Sequence, residues 1–170
     1  MSDALKTIYA REGKSSRYFD GETPCELYRG QHPSEHKKGA YFMAPVDERV
    51  EVDPLTKQSV VVRQADVKVV MRDGQRFVLG VRCTKGDFRG LSLFDKPMSW
   101  FKPSWYNFKL PRGAKIPENL AIVKDDFNPR RDATHYTIAP KDDMTYELFM
   151  QSLKVVASQT IAIGKQGAAS

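Results

Sequence analysis

Cysteine is nearly missing from these 170 residues, with only Cys25 and Cys83 present. Two cysteines so far apart rule out a disulfide-built scaffold and form no pair at metal-ligand spacing. Two reduced thiols in a cytosol-assembled protein are the reading we take. Histidine is almost as sparse, at His32, His36 and His135. His32 and His36 stand four apart, which would suit a metal on a helix face. Pro33 falls between them, so a solvated loop is expected and no metal site. No apolar run approaches the roughly 20 residues that cross a bilayer, so no membrane partner is expected. The start, Met1 to Lys6, lacks an apolar signal core, so any export is expected to proceed without a cleaved signal peptide. Walker and Rossmann glycine fingerprints, a nucleophile elbow, HExxH and a deaminase zinc set are all missing. Several routine enzyme classes lose their support with them.

What is present describes a folded domain. Hydrophobic residues make up 41% and charged residues 28%, which fits a soluble globular chain. We expect one domain over residues 1–163 and a flexible tail over 164–170. The 27 basic and 21 acidic residues leave a net charge of +6. That charge is spread along the chain, with small clusters at Lys37-Lys38 and Arg130-Arg131. A polyanionic substrate, a dinucleotide or an acidic protein partner each fits such a surface.

Periodicity then places the elements. Ser2 to Glu12 reads as a short helix and Gln31 to Gly39 as a charged loop or short helix. Tyr41 to Val46 reads as a packed apolar stretch. Glu26 to Gly30 reads as a strand. Val60 to Val62, Val67 to Arg72, Arg76 to Val81 and Leu91 to Asp95 are strand-like runs. Asp73-Gly74 is a two-residue hairpin signal. Trp100, Phe101, Trp105, Tyr106 and Phe108 alternate with cations and read either as core or cleft wall, or as base-stacking groups. Leu120 to Val123 reads as a buried strand and Asp125 to Asp132 as a polar loop. After Pro140 the period lengthens to about 3.6. Asp142, Asp143 or Thr145 caps a helix there. Its apolar stripe is Tyr146, Phe149, Met150, Leu153, Val156 and Ala157. The class is α+β, mostly antiparallel, with helices at the ends.

Between these elements lies Ala133-Thr134-His135-Tyr136-Thr137-Ile138-Ala139-Pro140, a strand closed by a proline that cannot donate to a ladder. Alternation puts His135, Thr137 and Ala139 on one face. One imidazole beside small neighbours either faces a cleft or fills a sheet surface.

The same string carries a resemblance. Ala133 to Ile138 with Pro140, Ile116-Pro117-Glu118-Asn119-Leu120, Leu27-Tyr28-Arg29 and Ser92-Leu93-Phe94-Asp95 occur in the order of a known toxin family. That family is the second exported effector of the bacterial type VI secretion system. It has a threonine before its serine, where this chain has Leu91. The segment Gly39 to Lys85 has no counterpart in it. The resemblance implies an ADP-ribosyltransferase-like fold, with two small, mainly antiparallel sheets around a cleft and flanking helices. It implies a cytoplasm-acting toxin that uses NAD as co-substrate to modify an intracellular target. His135, Ser92 and Arg29 would be the catalytic set, with Tyr28, Arg29, Gly30 and Ser92 binding the cofactor. Arg29 would hold its phosphates or ribose, Gly30 would leave room for nicotinamide, and Ser92 would steady the ribose or orient Arg29. His135 would stand where such transferases usually keep glutamate. A cognate immunity protein and a component of the secretion apparatus are the implied partners. The toxin would be made in one cytoplasm and act in another. Two other readings stay open: a nucleic-acid-acting toxin that uses the cleft without NAD, and a non-enzymatic binding module.

Overall fold

A computed structural model of the chain describes residues 17–31, 49–63, 65–83, 89–97 and 105–164. The expected Ser2–Glu12 helix, both loop histidines, the Tyr41–Val46 stretch, Trp100 and Phe101 lie outside the described residues. So do nearly all of the Gln31–Gly39 segment and the tail after Gly164.

The strands are β1 (Tyr18–Phe19), β2 (Leu27–Gln31), β3 (Arg49–Val52), β4 (Ser59–Arg63), β5 (Val69–Arg72) and β6 (Gln75–Val78). They continue as β7 (Leu91–Phe94), β8 (Tyr106–Leu110), β9 (Leu120–Asn128), β10 (Ala133–Pro140) and β11 (Met144–Thr145). Helix α1 (Tyr146–Ala157) follows, and β12 (Ile161–Gly164) returns to pair with β8.

Seven strands form one sheet in the order β1-β9-β10-β7-β2-β8-β12. The rest make a three-stranded sheet, β11-β6-β5, and the two-stranded β3-β4. Among the described residues every pairing is antiparallel. This corrects the expectation of two small sheets: the architecture is mostly β around one large sheet, with one helix among the described residues. Alternation within a strand says which residues share a face, but nothing about how many strands lie side by side.

A second correction falls on the loop expected over Asp125 to Asp132. Strand β9 runs on to Asn128, because β10 supplies its ladder. Beyond Val123 both faces of β9 become exposed, so its apolar signal stops before the strand does.

The core lies on one face of the large sheet. Leu27, Leu91, Leu93, Ile122, Tyr136 and Ile138 pack there against Phe149, Leu153 and Val156 of α1. The helical stripe read from the sequence is thus the buried one, and each of those three helix side chains is worth roughly 1.5–3 kcal/mol of burial. Thr145 is the N-cap, its hydroxyl accepting from the Leu148 amide at 3.3 Å. Asp73 at φ 49° and Gly74 at φ 77° close the β5–β6 hairpin, the paired positive φ that a two-residue turn demands. A tighter constraint falls on Gly90, where a Cβ would sit 2.0 Å from the Ile138 carbonyl oxygen. On the opposite face a smaller group, Tyr18, Val81, Ala121, Val123 and Ala139, covers one end of the sheet.

Candidate functional site

Three neighbouring strands carry the residues singled out by sequence. His135 on β10 pairs with Phe94 on β7, and Phe94 pairs with Tyr28 on β2. Thr137 pairs with Ser92, and Gly30 pairs with Asn107 on β8. Period two then sets His135, Phe94 and Tyr28 in one row across one face, the face away from α1. Thr137, Ser92 and the bare Gly30 position share that face, one row over.

On that face lies a hollow of about 320 Å³, lined by His135, Ser92, Phe94, Asp125, Asp126 and Arg131 among others. A β-bulge shapes it. Thr134 pairs with Phe127 but Tyr136 pairs with Lys124, so both Asp125 and Asp126 lie against His135 alone. Two residues opposing one bend the strand and re-aim their side chains. The carboxylate of Asp125 reaches the His135 Nδ1 at 2.5 Å, while Asp126 bonds to Arg17. The imidazole side chain is 28% exposed. Its ring lies 5.3 Å from that of Phe94, and Arg131 stands over the same Phe94 ring at 5.8 Å. Beside it, the Thr134 amide donates to Asp95 Oδ1 at 2.8 Å, and the Asp95 amide donates to the Thr134 carbonyl at 3.2 Å. These bonds clamp β10 to the end of β7 and hold His135 in place.

Arg29 is placed differently. It shares the core-facing side of β2 with Leu27 and is 5% exposed. Its Nη2 pairs with Asp66 at 3.0 Å, and its Nη1 donates to the Ser92 carbonyl oxygen at 3.1 Å. The guanidinium therefore touches the main chain of the serine strand from below and does not line the hollow. Serine and histidine come together in the hollow; arginine meets the serine through its backbone. Tyr28 donates to Glu26 at 2.9 Å, and partial burial, reinforced by Glu26, raises its phenol above the ordinary value.

Sequence reasoning missed Asp125, Asp126, Arg131 and Asp66. Asp125 and Asp126 fall in a stretch that reads as a loop, since nothing local announces a bulge, and Arg131 lies in the turn that follows. The only available hint for them was the density of charge immediately before the histidine strand. A larger hollow of about 620 Å³ lies between Arg72, Arg82, Asp142 and Asp143. Its charges are matched to one another, Arg72 to Asp143 at 2.8 Å and Arg82 to Asp142 at 2.7 Å, so its walls are held by their own ion pairs. Among the described residues no cluster of His, Cys, Asp and Glu is arranged to hold a metal ion. Cys25 and Cys83 are both free, and burial raises the Cys25 thiol.

The chain is similar to known proteins over most of its length. The model of a family described as Tse2 ADP-ribosyltransferase toxin matches residues 6–162. Toxin Tse2 of Pseudomonas aeruginosa is 31% identical over 147 residues, covering 86% of this chain and 82% of the relative.

Proposed function

The chain belongs to the Tse2 ADP-ribosyltransferase toxin family, and from that premise we propose that it acts in a cytoplasm by transferring ADP-ribose from NAD to a macromolecule of the target cell. The observation that carries this reading is the meeting of His135 and Ser92 in one hollow on the face of the sheet away from α1. The donors there fit the nicotinamide half of the substrate. A hydroxyl at Ser92 suits a ribose hydroxyl, the Phe94 ring offers a stacking face, and the Arg131 guanidinium suits a phosphate oxygen. Gly30 adds no side chain to that face, and Tyr28 stands on it beside Phe94, outside the lining of the hollow.

NAD supplies a ribose carbon bonded to a good leaving group, neutral nicotinamide. His135 accepts the proton of the attacking group on Nε2, the nitrogen opposite the one that Asp125 engages. Ser92 orients the ribose. Arg29, which the motif would place on the phosphates, instead fixes the main chain of Ser92 and acts by positioning it.

Reading the cleft as a nucleic-acid site without NAD draws on the net charge and on the aromatics before Pro111. Of these, Phe108 is 1% exposed and belongs to the interior, so it offers no face to a base. No described helix is long and apolar enough to cross a membrane. In this reading the producing cell needs an immunity protein with an acidic face toward the +6 surface, and a component of the secretion apparatus carries the toxin out.

Incubating the protein with NAD labelled in the adenylate half, together with bacterial lysate, tests the proposal. Label should pass to a protein or nucleic acid as free nicotinamide accumulates. A preparation that kills cells yet transfers no label and releases no nicotinamide would overturn it.

A further inference from the structure

A histidine is an incomplete replacement for a glutamate at an ADP-ribosyl transfer site. It accepts a proton but carries no negative charge, and once protonated it opposes a cation forming at the ribose carbon. The bulge in β9 supplies what is missing. It spends two residues, Asp125 and Asp126, against one, and turns a carboxylate onto His135 Nδ1 at 2.5 Å. A regular ladder would place one residue opposite the histidine and send the next to the other face. The charged groups around the ring are Asp125 and Asp126 from β9, Arg131 from the turn, Asp95 from the end of β7, and Arg17, which bonds to Asp126. Asp95 accepts from the Thr134 amide and Asp126 accepts from Arg17, so Asp125 is the carboxylate that engages the imidazole.

We propose that Asp125 is a positioning residue of the transfer step, holding the imidazole proton on Nδ1 and placing beside the reacting ribose carbon the negative charge that histidine lacks. This rests on the NAD reading above. In the step, the bond between the ribose C1′ and nicotinamide breaks, and its electron pair leaves with nicotinamide. A lone pair of the target's hydroxyl or amine forms the new bond to C1′, and the displaced proton goes to His135 Nε2. Asp125 stays ionised and keeps its hydrogen bond, so the imidazolium formed is neutralised at once. The arrangement follows the logic by which a buried aspartate holds a catalytic histidine in the useful tautomer.

The test uses nitrogen-15 resonances of the His135 ring in the free protein alongside NAD turnover. In the native protein the neutral ring should carry its hydrogen on Nδ1. In Asp125→Asn the amide can donate to Nδ1, and the hydrogen should move to Nε2. Turnover should fall by about 10²–10⁴-fold, the usual worth of general base catalysis, while the KM for NAD changes by no more than a few-fold. Asp125→Glu should recover part of the rate. Asp125→Ala serves if the asparagine variant folds poorly, and the exposed surface change Asp132→Asn should leave turnover unchanged. A native ring protonated on Nε2, or an Asp125→Asn variant with full turnover, overturns the proposal. If the native protein turns over no NAD, the NAD reading alone fails. Tautomer and toxicity then decide the pair: a flipped ring with lost killing supports it, and retained killing overturns it.

Discussion

Arg29 carries a charge where charge is expensive. Its side chain and that of Asp66 are each 6% exposed, and the pair joins β2 to the segment leading into β5. Removing one partner strands the other in the interior. Arg29→Ala should cost about 3–5 kcal/mol in urea unfolding, whereas replacing both with apolar residues, as in Arg29→Met with Asp66→Leu, should return most of that. If the single and double variants lose equal stability, the pair is not what holds these segments. Killing should be lost in both, since neither retains the guanidinium on the Ser92 carbonyl. An alanine at Arg29 that kills less is therefore no proof of a substrate contact, and a double variant that folds yet does not kill shows only that the loss is not one of stability. Nothing near Leu27-Tyr28-Arg29 reveals Asp66, which lies 37 residues away. The motif is legible in the sequence, but its burial is not.

At the scale of elements, α1 shows how local chemistry fixes a boundary. The hydroxyl of Thr145 caps the helix and Glu147 follows in its first turn. Thr145→Ala should cost about 1 kcal/mol, read as a lower unfolding midpoint. Glu147 is held below the usual carboxylate range, first by a backbone hydrogen bond and then by Arg76. A carboxylate lowered in the folded state contributes stability above its unfolded value, and that contribution is lost as pH falls through the folded one. Glu147→Gln should lower stability slightly at neutral pH, where the contribution is complete, leave it unchanged in strong acid, and so flatten the part of the acid unfolding curve below the ordinary carboxylate value of about 4.3. Helix α1, the Asp73-Gly74 hairpin and β10 were all legible, because each is written in consecutive residues: a 3.6 period, a turn pair, an alternation ended by proline. The reach of β9 and the size of the large sheet were not. Asp125 to Asn128 form a strand only because β10 lies alongside, and no residue in that stretch has a strand pattern of its own.

Seen whole, the molecule divides its tasks between the faces of one sheet. Helix α1 covers the first with the main core, and the His135 hollow opens on the second. Stability and chemistry are therefore separable by substitution. Leu153 is fully buried, and Leu153→Ala should cost about 2–5 kcal/mol, with the unfolding temperature falling by about 2–4 °C for each kcal/mol in a domain of this size. At a temperature well below that midpoint the surviving folded molecules should transfer ADP-ribose at nearly the native rate. His135→Ala should behave in the opposite way. Its ring is partly exposed and its partner Asp125 is 57% exposed, so the carboxylate left behind stays hydrated and the midpoint should scarcely move. On the proposed reading transfer should nevertheless collapse, because His135 is the proton acceptor of that step. Measuring midpoint and turnover for the two variants side by side checks the division. A His135→Ala protein that unfolds as early as Leu153→Ala would mean that the histidine holds the sheet together, and the hollow would then be a gap in packing with no part in chemistry.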